Sequence, residues 1–371
     1  MKKILFLIGT RPEAIKMAPL IKTFSNKSDF IAKVGITAQH REMLDQVVNF
    51  FEIKIDYDLN IMKPNQTLHQ LTSDLVTRIT NEILLQEKFD YIFIQGDTTT
   101  VLAGAIASFY QKIKIVHIEA GLRSNNMHSP FPEEMNRVLT SRLSDFHFCP
   151  TQNAEENLKI ENINKNIFVV GNTVIDALLL GVEKINRLGD TLFFQKYNAI
   201  DFSKKIILVT CHRRENFGKP FENICDSLME IANQYPDIQI IYPVHLNPNI
   251  KEIAHQRLVS NNIKLIEPLD YPELIWMMTK SYIILTDSGG IQEEAPSLGK
   301  PVLVLREVTE RTEGVDAGTA ILVGSNKEKI LAETSLLLND VTHYLKISQA
   351  NNPYGDGRTS EKIKAILSSL I

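Results

Sequence analysis

Cysteine is scarce in this sequence: Cys149, Cys211 and Cys225 are the three cysteines among 371 residues, they are widely spaced, and no C-x-x-C pair occurs. An odd number of isolated cysteines argues against a disulfide framework and against a zinc knuckle. The pattern fits a reducing compartment. We therefore expect a cytoplasmic protein.

Long apolar runs are also missing, since no stretch approaches the roughly 18 apolar residues of a membrane-spanning helix. Met1-Lys2-Lys3 is followed by a short apolar strand and then by charged residues, which is not the pattern of a signal peptide. The formal net charge is -4, so the chain has no general basic excess for nucleic acid or anionic lipid. We expect a small ligand, with no nucleic acid and no membrane as partner.

A glycine turn between a strand and a helix is the most informative feature that the sequence does contain. Residues 281–285 form a buried-strand pattern and run into Thr286-Asp287-Ser288-Gly289-Gly290. Asp287 or Ser288 can cap the next helix, and the two glycines let backbone N–H groups approach a phosphate. Glu294, one turn further, is placed for the diol of a ribose. The alternative is an ordinary capped helix of an α/β domain.

A second turn of this kind opens the chain, where residues 4–8 run into Gly9-Thr10-Arg11-Pro12-Glu13. Thr10 and Glu13 predict a capping box, with Pro12 at the first helical position. Arg11 and Lys16 add cations beside a helix N-terminus that already favours anions. Neither turn has the G-x-G-x-x-G or G-x-x-x-x-G-K-[ST] spacing, which disfavours a nicotinamide cofactor and hydrolysis of a nucleoside triphosphate.

Short apolar runs alternate with helical patterns along the chain, which predicts two doubly wound α/β domains with mostly parallel sheets. The predicted strands are residues 4–8, 33–36, 91–94, 113–118, 146–148 and 167–170, followed by 205–210, 238–242, 263–266, 282–285 and 302–305. We expect an N-terminal Rossmann-like domain of residues 1–172 with a closing helix in 358–371, and a C-terminal Rossmann-like domain of residues 173–357. Such sheets bind ligands beyond the carboxyl ends of their strands, so we expect both domains to face a central cleft.

Acidic side chains follow two predicted strands of the first domain. Asp97 lies in Gln95-Gly96-Asp97-Thr98-Thr99, and His117 and Glu119 share one face of the next strand. His117 and Glu119 suggest zinc, but no third ligand has a metal-like spacing, so we expect no metal. For Asp97 the structural alternative is the N-cap of a helix over residues 98–110.

Three further groups complete the set of candidates. Glu133 begins a helix after Ser129-Pro130-Phe131-Pro132, with Arg137 one turn later; the structural alternative is an i,i+4 ion pair. His212 lies among arginines at one strand end of the second domain, and His245 at the next. Acids, a histidine and a nucleotide-diphosphate cradle without metal or nicotinamide motifs indicate proton transfer or group transfer on a nucleotide sugar.

Ten sequence blocks resemble the non-hydrolysing UDP-N-acetylglucosamine 2-epimerases of bacteria, essentially from end to end. They are GTRPEAIKMAPL, TAQHREMLDQV, GDTTT, HIEAGLRS, SPFPEEMNR, GNTVIDAL, TCHRREN, YPVHLNPN, DSGGIQEEAPSLGKPVL and NPYGDGR. The resemblance implies a fold similar to the two-domain GT-B glycosyltransferases, with the second domain binding UDP. It also implies a reaction without a cofactor: UDP is eliminated to give 2-acetamidoglucal and is added back after protonation on the opposite face. The product would feed bacterial surface polysaccharide synthesis.

The resemblance further assigns roles to individual residues. The reacting centre would comprise Asp97, Glu119, Glu133, Arg137 and His212. The contacts to UDP would come from Arg11, Lys16, Leu269, Leu274, Ser288, Gly289, Gly290, Glu294 and Arg311. Leu274 stands where many relatives have phenylalanine, Thr312 replaces a proline, and Cys211 replaces a glycine or alanine. The loss of an aromatic face at Leu274 would weaken uracil stacking by about 0.5–1.5 kcal/mol.

Members of this family also bind a second UDP-GlcNAc as an allosteric activator, and a homodimer is implied as well. The allosteric contacts would be Gln39, Glu42, Asn65, Glu133, Arg213 and His245. Glu42 and Asn65 stand where some relatives have glutamine and arginine, which predicts weaker binding of the effector. The alternatives that stay open are a C2 epimerase of a related UDP-acetamido sugar, a GT-B glycosyltransferase and a sugar-nucleotide sensor.

Overall fold

The computed structural model describes residues 1–25, 30–38, 41–63 and 65–370, with only the backbone of Glu42 described. The chain divides into two compact units, Met1–Leu180 with Tyr354–Ile371, and Gly181–Pro353. The domain boundaries were predicted after residue 172 and before residue 358. The observed boundaries follow residue 180 and precede residue 354, so they differ by eight and four residues. The reason is that Asp176 accepts hydrogen bonds from the backbone N–H groups of Thr359 and Ser360, at 3.2 and 2.7 Å. These contacts keep the start of the connecting helix in the first unit.

The first unit contains a seven-stranded parallel sheet with the strand order β3-β2-β1-β4-β5-β6-β7. Its strands are β1 (Lys2–Ile8), β2 (Phe30–Ile36), β3 (Tyr57–Asp58), β4 (Tyr91–Gln95), β5 (Lys114–Ile118), β6 (Phe146–Cys149) and β7 (Ile167–Val169). All six predicted strands are present, and only the two-residue β3 was not predicted. Residues 4–8 of the central strand β1 are fully buried, as expected for a parallel strand covered on both faces.

Helices connect the strands of this sheet. They are α1 (Arg11–Ser25), α2 (Arg41–Phe51), α3 (Leu68–Ile79, continued by a π-helical turn over Thr80–Leu84), α4 (Thr99–Tyr110), α5 (Glu133–Leu143), α6 (Gln152–Ile160) and α7 (Thr173–Leu188). Helix α1 begins at Arg11, so Pro12 occupies the second helical position and not the first as predicted. A proline there still sacrifices no intrahelical hydrogen bond, because the first N–H groups of a helix have no partner within it.

The second unit contains a six-stranded parallel sheet with the strand order β10-β9-β8-β11-β12-β13. Its strands are β8 (Lys205–Thr210), β9 (Ile238–Pro243), β10 (Ile263–Ile266), β11 (Ile283–Thr286), β12 (Val302–Val304) and β13 (Ala320–Leu322). The five predicted strands are confirmed, and β13 was missed. The core between this sheet and its helices is apolar and includes Ile207, Phe221, Ile240 and Leu285.

The remaining helices complete the two-unit arrangement. They are α8 (Thr191–Lys196), α9 (Lys219–Gln234), α10 (Pro248–Arg257), α11 (Tyr271–Lys280), α12 (Gly289–Glu294), α13 (Thr312–Asp316), α14 (Lys327–Asn339), α15 (Val341–Ser348) and α16 (Thr359–Ser369). Helix α16 is the predicted closing helix and belongs to the first unit. None of the helices in the described part of the chain is long and apolar enough to cross a membrane.

Each sheet has a point at which its strand order reverses, between β1 and β4 in the first unit and between β8 and β11 in the second. In doubly wound sheets, ligands bind beyond the carboxyl ends of the strands at this point. Ligand-binding residues are therefore expected in the segments that follow β1, β4 and β5, and in those that follow β8 and β11.

Candidate active site

The turn after β1 is organised by a buried acid. The Glu13 carboxylate accepts hydrogen bonds from the Gly9 backbone N–H at 2.7 Å and from the Thr10 hydroxyl at 2.9 Å. This differs from the predicted capping box. There the backbone N–H of Thr10 would donate to the Glu13 carboxylate, whereas here the backbone N–H of Gly9 does so. Burial raises the pKa of Glu13 to about 7 despite these hydrogen bonds. A Cβ at Gly9 would lie 2.4 Å from the Thr100 hydroxyl, so the turn needs glycine for close packing against α4.

Lys16, in the helix that follows this turn, pairs with Glu119, which follows β5. Lys16 Nζ lies 2.5 Å from Glu119 Oε1, and Glu119 also accepts hydrogen bonds from the side-chain amides of Gln95, at 2.5 Å, and Asn172, at 2.9 Å. Glu119 directly follows β5 and has a left-handed backbone with φ of +62°. Non-glycine residues adopt this conformation at a cost that is usually met where a side chain must be aimed. Three donors therefore fix one carboxylate beyond the carboxyl end of β5, beside the switch point of the first sheet.

Asp97 follows β4 and pairs with Arg137 of α5, whose Nε and Nη2 atoms lie 2.9 and 2.6 Å from Asp97 Oδ2. The alternative role of Asp97 as the N-cap of α4 is wrong, because Thr98 is the N-cap and accepts a hydrogen bond from Val101 N–H. Gly96, the residue before Asp97, has φ of +81°, and a Cβ on it would lie 3.7 Å from Glu119 Oε2. The ion pairs Asp97–Arg137 and Lys16–Glu119 are therefore neighbours, and together we call these four residues the cluster of the first unit.

Glu133 and Glu134 have different environments although they are adjacent on α5. Glu134 is buried and accepts hydrogen bonds from Ser124 and Asn125 N–H, each at 3.0 Å, and from Arg137 at 3.1 Å. Glu133 is half-buried and forms no hydrogen bond or ion pair with any residue that the structure describes. The predicted alternative, an ion pair of Glu133 with Arg137, is wrong, because Arg137 pairs with Asp97 and Glu134.

His117 is a structural residue in this arrangement. Its ring is buried and its Nε2 atom lies 2.8 Å from the Gly96 carbonyl oxygen. Burial lowers the pKa of His117 to about 3, so the ring is neutral at physiological pH. Across the described ranges, no group of three His, Cys, Asp or Glu side chains is arranged to hold a metal ion.

In the second unit, Asp287 connects the turns that follow β8 and β11. Its side chain is fully buried, and Oδ2 accepts hydrogen bonds from His212 N–H and Arg213 N–H, both at 2.8 Å, and from the Asn216 amide at 3.0 Å. The prediction that the side chain of Asp287 or Ser288 caps the next helix by a hydrogen bond is wrong. Ser288 has the N-cap position of α12, but its hydroxyl makes no cap hydrogen bond, and Asp287 points to the neighbouring strand end.

His212 and His245, at adjacent strand ends, stack on each other. Their ring centroids are 5.6 Å apart with an interplanar angle of 18°. His245 Nδ1 accepts a hydrogen bond from Asn247 N–H at 3.1 Å, and Nδ1 of His212 lies 3.5 Å from Asp287 Oδ1. The sequence placed both histidines at strand ends, and their stacking is a contact that only the fold reveals.

The glycine turn after β11 packs closely against an arginine. Gly289 is buried, and a Cβ on it would lie 3.2 Å from Cζ of Arg311. Arg311 Nε in turn lies 2.8 Å from Glu293 Oε1. Glu294 is buried and accepts a hydrogen bond from the Tyr271 hydroxyl at 2.9 Å. The turn and Arg311 therefore form a compact polar end to the second sheet.

The other predicted ligand residues have less defined surroundings. Leu269 and Leu274 are half-buried at the start of α11, and Arg11 is half-buried without an ion pair to the described residues. Among the predicted allosteric residues, Asn65 is exposed with a left-handed backbone, and Arg213 is half-buried. Gln39 lies outside the described residues, as does the side chain of Glu42.

Sequence reasoning missed several residues of this site. Gln95 and Asn172, the donors to Glu119, were not selected, although Gln95 is the last residue of a predicted strand. Arg306 was also missed: its buried guanidinium pairs with Glu215 at 2.5 Å and Glu310 at 2.7 Å and so connects two loops of the second unit. For Gln95 and Asn172 no local pattern gives a signal, because their partner Glu119 is distant in the sequence. For Arg306 the i,i+4 spacing to Glu310 was a local signal, whereas Glu215 is distant.

Comparison with known proteins gives consistent matches over the whole chain. Residues 22–368 match the protein-family model of UDP-N-acetylglucosamine 2-epimerase. The chain is 53% identical over 368 residues to the UDP-N-acetylglucosamine 2-epimerase of Salmonella borreze, which covers 98% of this chain and 97% of that protein. It is 50% identical to the crystal structure of UDP-GlcNAc 2-epimerase from Neisseria meningitidis bound to UDP-GlcNAc, with a TM-score of 0.89 and coverage of 99% and 100%.

A more distant likeness concerns the fold alone. The glycotransferase of kitacinnamycin is 11% identical to this chain, with a TM-score of 0.66 over 98% of both chains. The predicted fold class, two Rossmann-like α/β domains similar to glycosyltransferases, is confirmed.

Proposed function

Because this chain belongs to the UDP-N-acetylglucosamine 2-epimerase family, we propose that it interconverts UDP-N-acetylglucosamine and UDP-N-acetylmannosamine by inverting C2 of the sugar. The observation that carries the proposal is the cluster of Asp97, Glu119, Lys16 and Arg137 at the switch point of the first sheet. It offers acids for proton transfer at carbon, and neighbouring cations that balance their charge.

The reaction proceeds by elimination and re-addition. A carboxylate removes the C2 proton, the C1–O bond breaks, and its electron pair leaves with UDP, so that 2-acetamidoglucal forms. A proton is then delivered to C2 from the opposite face while UDP adds back to C1. No oxidant, reductant or metal enters this balance.

The carboxylates of Glu119, Asp97 and Glu133 differ in their hydrogen-bond and ion-pair partners, which supports different roles in the reaction. Glu119 is held by three donors and is suited to stay an anion that positions Lys16. Asp97 is paired with Arg137. Glu133 is half-buried and unengaged within the described residues, so it is the group best suited to exchange a proton with solvent between turnovers. A positioned acid or base of this kind contributes roughly 10² to 10⁴ in rate.

The second unit provides groups suited to UDP. The turn with Ser288, Gly289 and Gly290 is assigned to the diphosphate, which its backbone N–H groups would bind, and Arg311 adds a charge-assisted donor beside it. Glu294 is assigned to the ribose, and Leu269 and Leu274 to the uracil. His212 offsets the charge that builds on the departing diphosphate. In the first unit, Arg11 and Lys16 are the cations assigned to UDP.

We also propose the finer properties that the sequence predicted. A second UDP-GlcNAc acts as allosteric activator, with Arg213 and His245 as its contacts in the second unit. A homodimer is supported by the exposed aromatic rings of Phe109 and Tyr110 at the end of α4. A cytoplasmic location suits the three buried free thiols, and the product would serve surface polysaccharide synthesis.

The test is a proton NMR time course of UDP-GlcNAc with this protein in D2O, without any acceptor and with or without NAD. We expect a mixture with UDP-ManNAc in which both sugars acquire deuterium at C2, unaffected by NAD. Unlabelled product would exclude exchange through a carboxylate, and no conversion without an acceptor would favour a glycosyltransferase. If only a related UDP-acetamido sugar reacted, the proposed C2 epimerisation would be correct and the assignment of UDP-GlcNAc as its substrate would be wrong.

A further inference from the structure

Asp287 is a fully buried carboxylate at the switch point of the second sheet. Strands β8 and β11 are neighbours in register, with Thr210 opposite Thr286, and the two threonine hydroxyls are 2.6 Å apart. Asp287 therefore faces the chain that leaves β8, and its Oδ2 atom accepts three hydrogen bonds there, from His212 N–H, Arg213 N–H and the Asn216 amide. One carboxylate oxygen thus fixes the backbone that carries His212.

The other carboxylate oxygen of Asp287, Oδ1, differs from Oδ2 in its hydrogen bonding. Oδ1 is buried and has no hydrogen-bond partner within the described structure. Nδ1 of His212 lies 3.5 Å from it, slightly beyond hydrogen-bonding distance. Leaving a buried carboxylate oxygen unsatisfied is costly, and a small rotation of the imidazole would bring Nδ1–H within reach. A second neighbour, the Cys211 thiol, is a weak donor by comparison.

The orientation of the His212 ring is limited further by His245. The two ring centroids are 5.6 Å apart, so stacking limits the His212 ring to small rotations while its Nδ1 edge stays toward Asp287. The hydrogen bond from Asn247 N–H to Nδ1 of His245 means that a neutral His245 carries its proton on Nε2. If His212 donates its Nδ1–H to Asp287, the two stacked rings are opposite tautomers, with the proton on Nδ1 in His212 and on Nε2 in His245.

We propose that Asp287 is a positioning residue for the reaction: it selects the Nδ1–H tautomer of His212. Nε2 is then the nitrogen that takes up a proton from solvent as negative charge builds on the departing diphosphate, and that returns it when UDP adds back. This inference rests on the proposed role of His212. The same division of labour is known from triads in which a buried aspartate orients a histidine. A purely structural Asp287 would hold the 212–216 loop without affecting the tautomer.

Nitrogen-15 NMR of the histidine side chains in the wild-type protein gives the first test, because it needs neither turnover nor a variant. In the spectrum of the uncharged rings we expect the proton of His212 on Nδ1 and that of His245 on Nε2, so His245 serves as the internal reference. Finding the proton of His212 on Nε2 in the wild-type protein would overturn the proposal.

Asp287→Asn gives the second test. The three donors at Oδ2 require an oxygen there, so the amide nitrogen takes the place of Oδ1 and donates to Nδ1 of His212, which forces the Nε2–H tautomer. We expect kcat for UDP-GlcNAc to fall roughly 10²-fold, with a much smaller change in KM. Asn216→Ala is the matched control: it removes one hydrogen bond of the same carboxylate and should lower the melting temperature without changing the tautomer.

A double-mutant cycle separates this inference from the proposed function. His212→Gln alone should lower kcat, and Asp287→Asn in that background should lower it little further, because the two residues act as a unit. If His212→Gln lost activity while Asp287→Asn kept both kcat and the Nδ1–H tautomer, the Asp287 assignment would be wrong and the epimerase would stand. If the wild-type protein did not epimerise UDP-GlcNAc at all, the proposed function would be wrong, whatever the tautomer.

Discussion

Lys16 and Glu119 form an ion pair in which Nζ lies 2.5 Å from Oε1 and the two side chains are only 16% and 6% exposed. Lys16 is in the second turn of α1 and Glu119 directly follows β5, so the pair connects two strand ends of the first sheet. Because it is largely removed from solvent, each charge depends on the other, and neutralising one leaves the other uncompensated.

Glu119→Gln should therefore lower turnover of UDP-GlcNAc by roughly 10² or more, since Lys16 loses its counter-ion while the amide keeps the shape of the side chain. The measurement is the initial rate by NMR, with the melting temperature as a check on folding. The matched control is Asp90→Asn, which removes an ion pair with Lys2 whose side chains are 44% and 37% exposed. Near-normal turnover of the Glu119→Gln variant would remove Glu119 from the reacting centre.

The adjacent acids Glu133 and Glu134 provide a matched pair of substitutions. Glu133→Gln should lower turnover by roughly 10² with an unchanged melting temperature, because Glu133 forms no hydrogen bond or ion pair with the described residues. Glu134→Gln should destabilise the fold by about 1–3 kcal/mol, because it disturbs a buried acceptor of two backbone N–H groups and of Arg137. Rate assays and urea unfolding distinguish the two effects, and a reversed pattern would contradict the assignment.

Glu13 should make the stability of the first unit depend on pH. Burial raises its pKa from 4.5 to about 7 in the folded protein, so between these values the folded state keeps a proton that the unfolded chain has released. The free energy of unfolding then falls as pH rises through this window, by up to about 3 kcal/mol at neutral pH. Glu13→Gln, which cannot ionise, should lack this contribution.

The measurement is urea unfolding of the wild-type protein and Glu13→Gln at pH 5 and pH 7.5. We expect the wild-type protein to lose stability relative to the variant at the higher pH. Since both proteins contain the neutral buried His117 and His147, the acid sensitivity of these histidines cancels in the comparison. Parallel pH profiles would show that Glu13 ionises in the folded state as easily as in the unfolded chain.

Allosteric activation predicts an asymmetry between the two directions of the reaction. UDP-ManNAc alone should be converted poorly, and a small amount of UDP-GlcNAc should start the reverse reaction, since effector and substrate binding are coupled reciprocally. Arg213→Ala should weaken this activation. Arg214→Ala, at the exposed neighbouring position, is the control. Immediate full-rate conversion of pure UDP-ManNAc, unaffected by Arg213→Ala, would show that no regulatory site operates.

The fold class and the positions of nearly all strands could be predicted from the sequence, because buried parallel strands such as β1 and β8 are short continuous apolar runs between turn residues. It also placed Asp97, Glu119 and His212 at strand ends, which is where doubly wound sheets bind ligands. Strand β3 escaped prediction because a segment of two residues has no periodicity to detect. Strand β13 was missed although β7 and β12, which are equally short, were predicted.

The contacts between polar side chains could not be predicted from the sequence, because they depend on the fold. The partners of Glu119 are residues 16, 95 and 172, and those of Asp287 are residues 212, 213 and 216. Local rules read Asp97 and Asp287 as helix caps, since short acidic residues before a helix usually take that role. Arg137 and the backbone after β8 are stronger partners for these buried or half-buried carboxylates, and sheet pairing brings those partners near from distant parts of the chain.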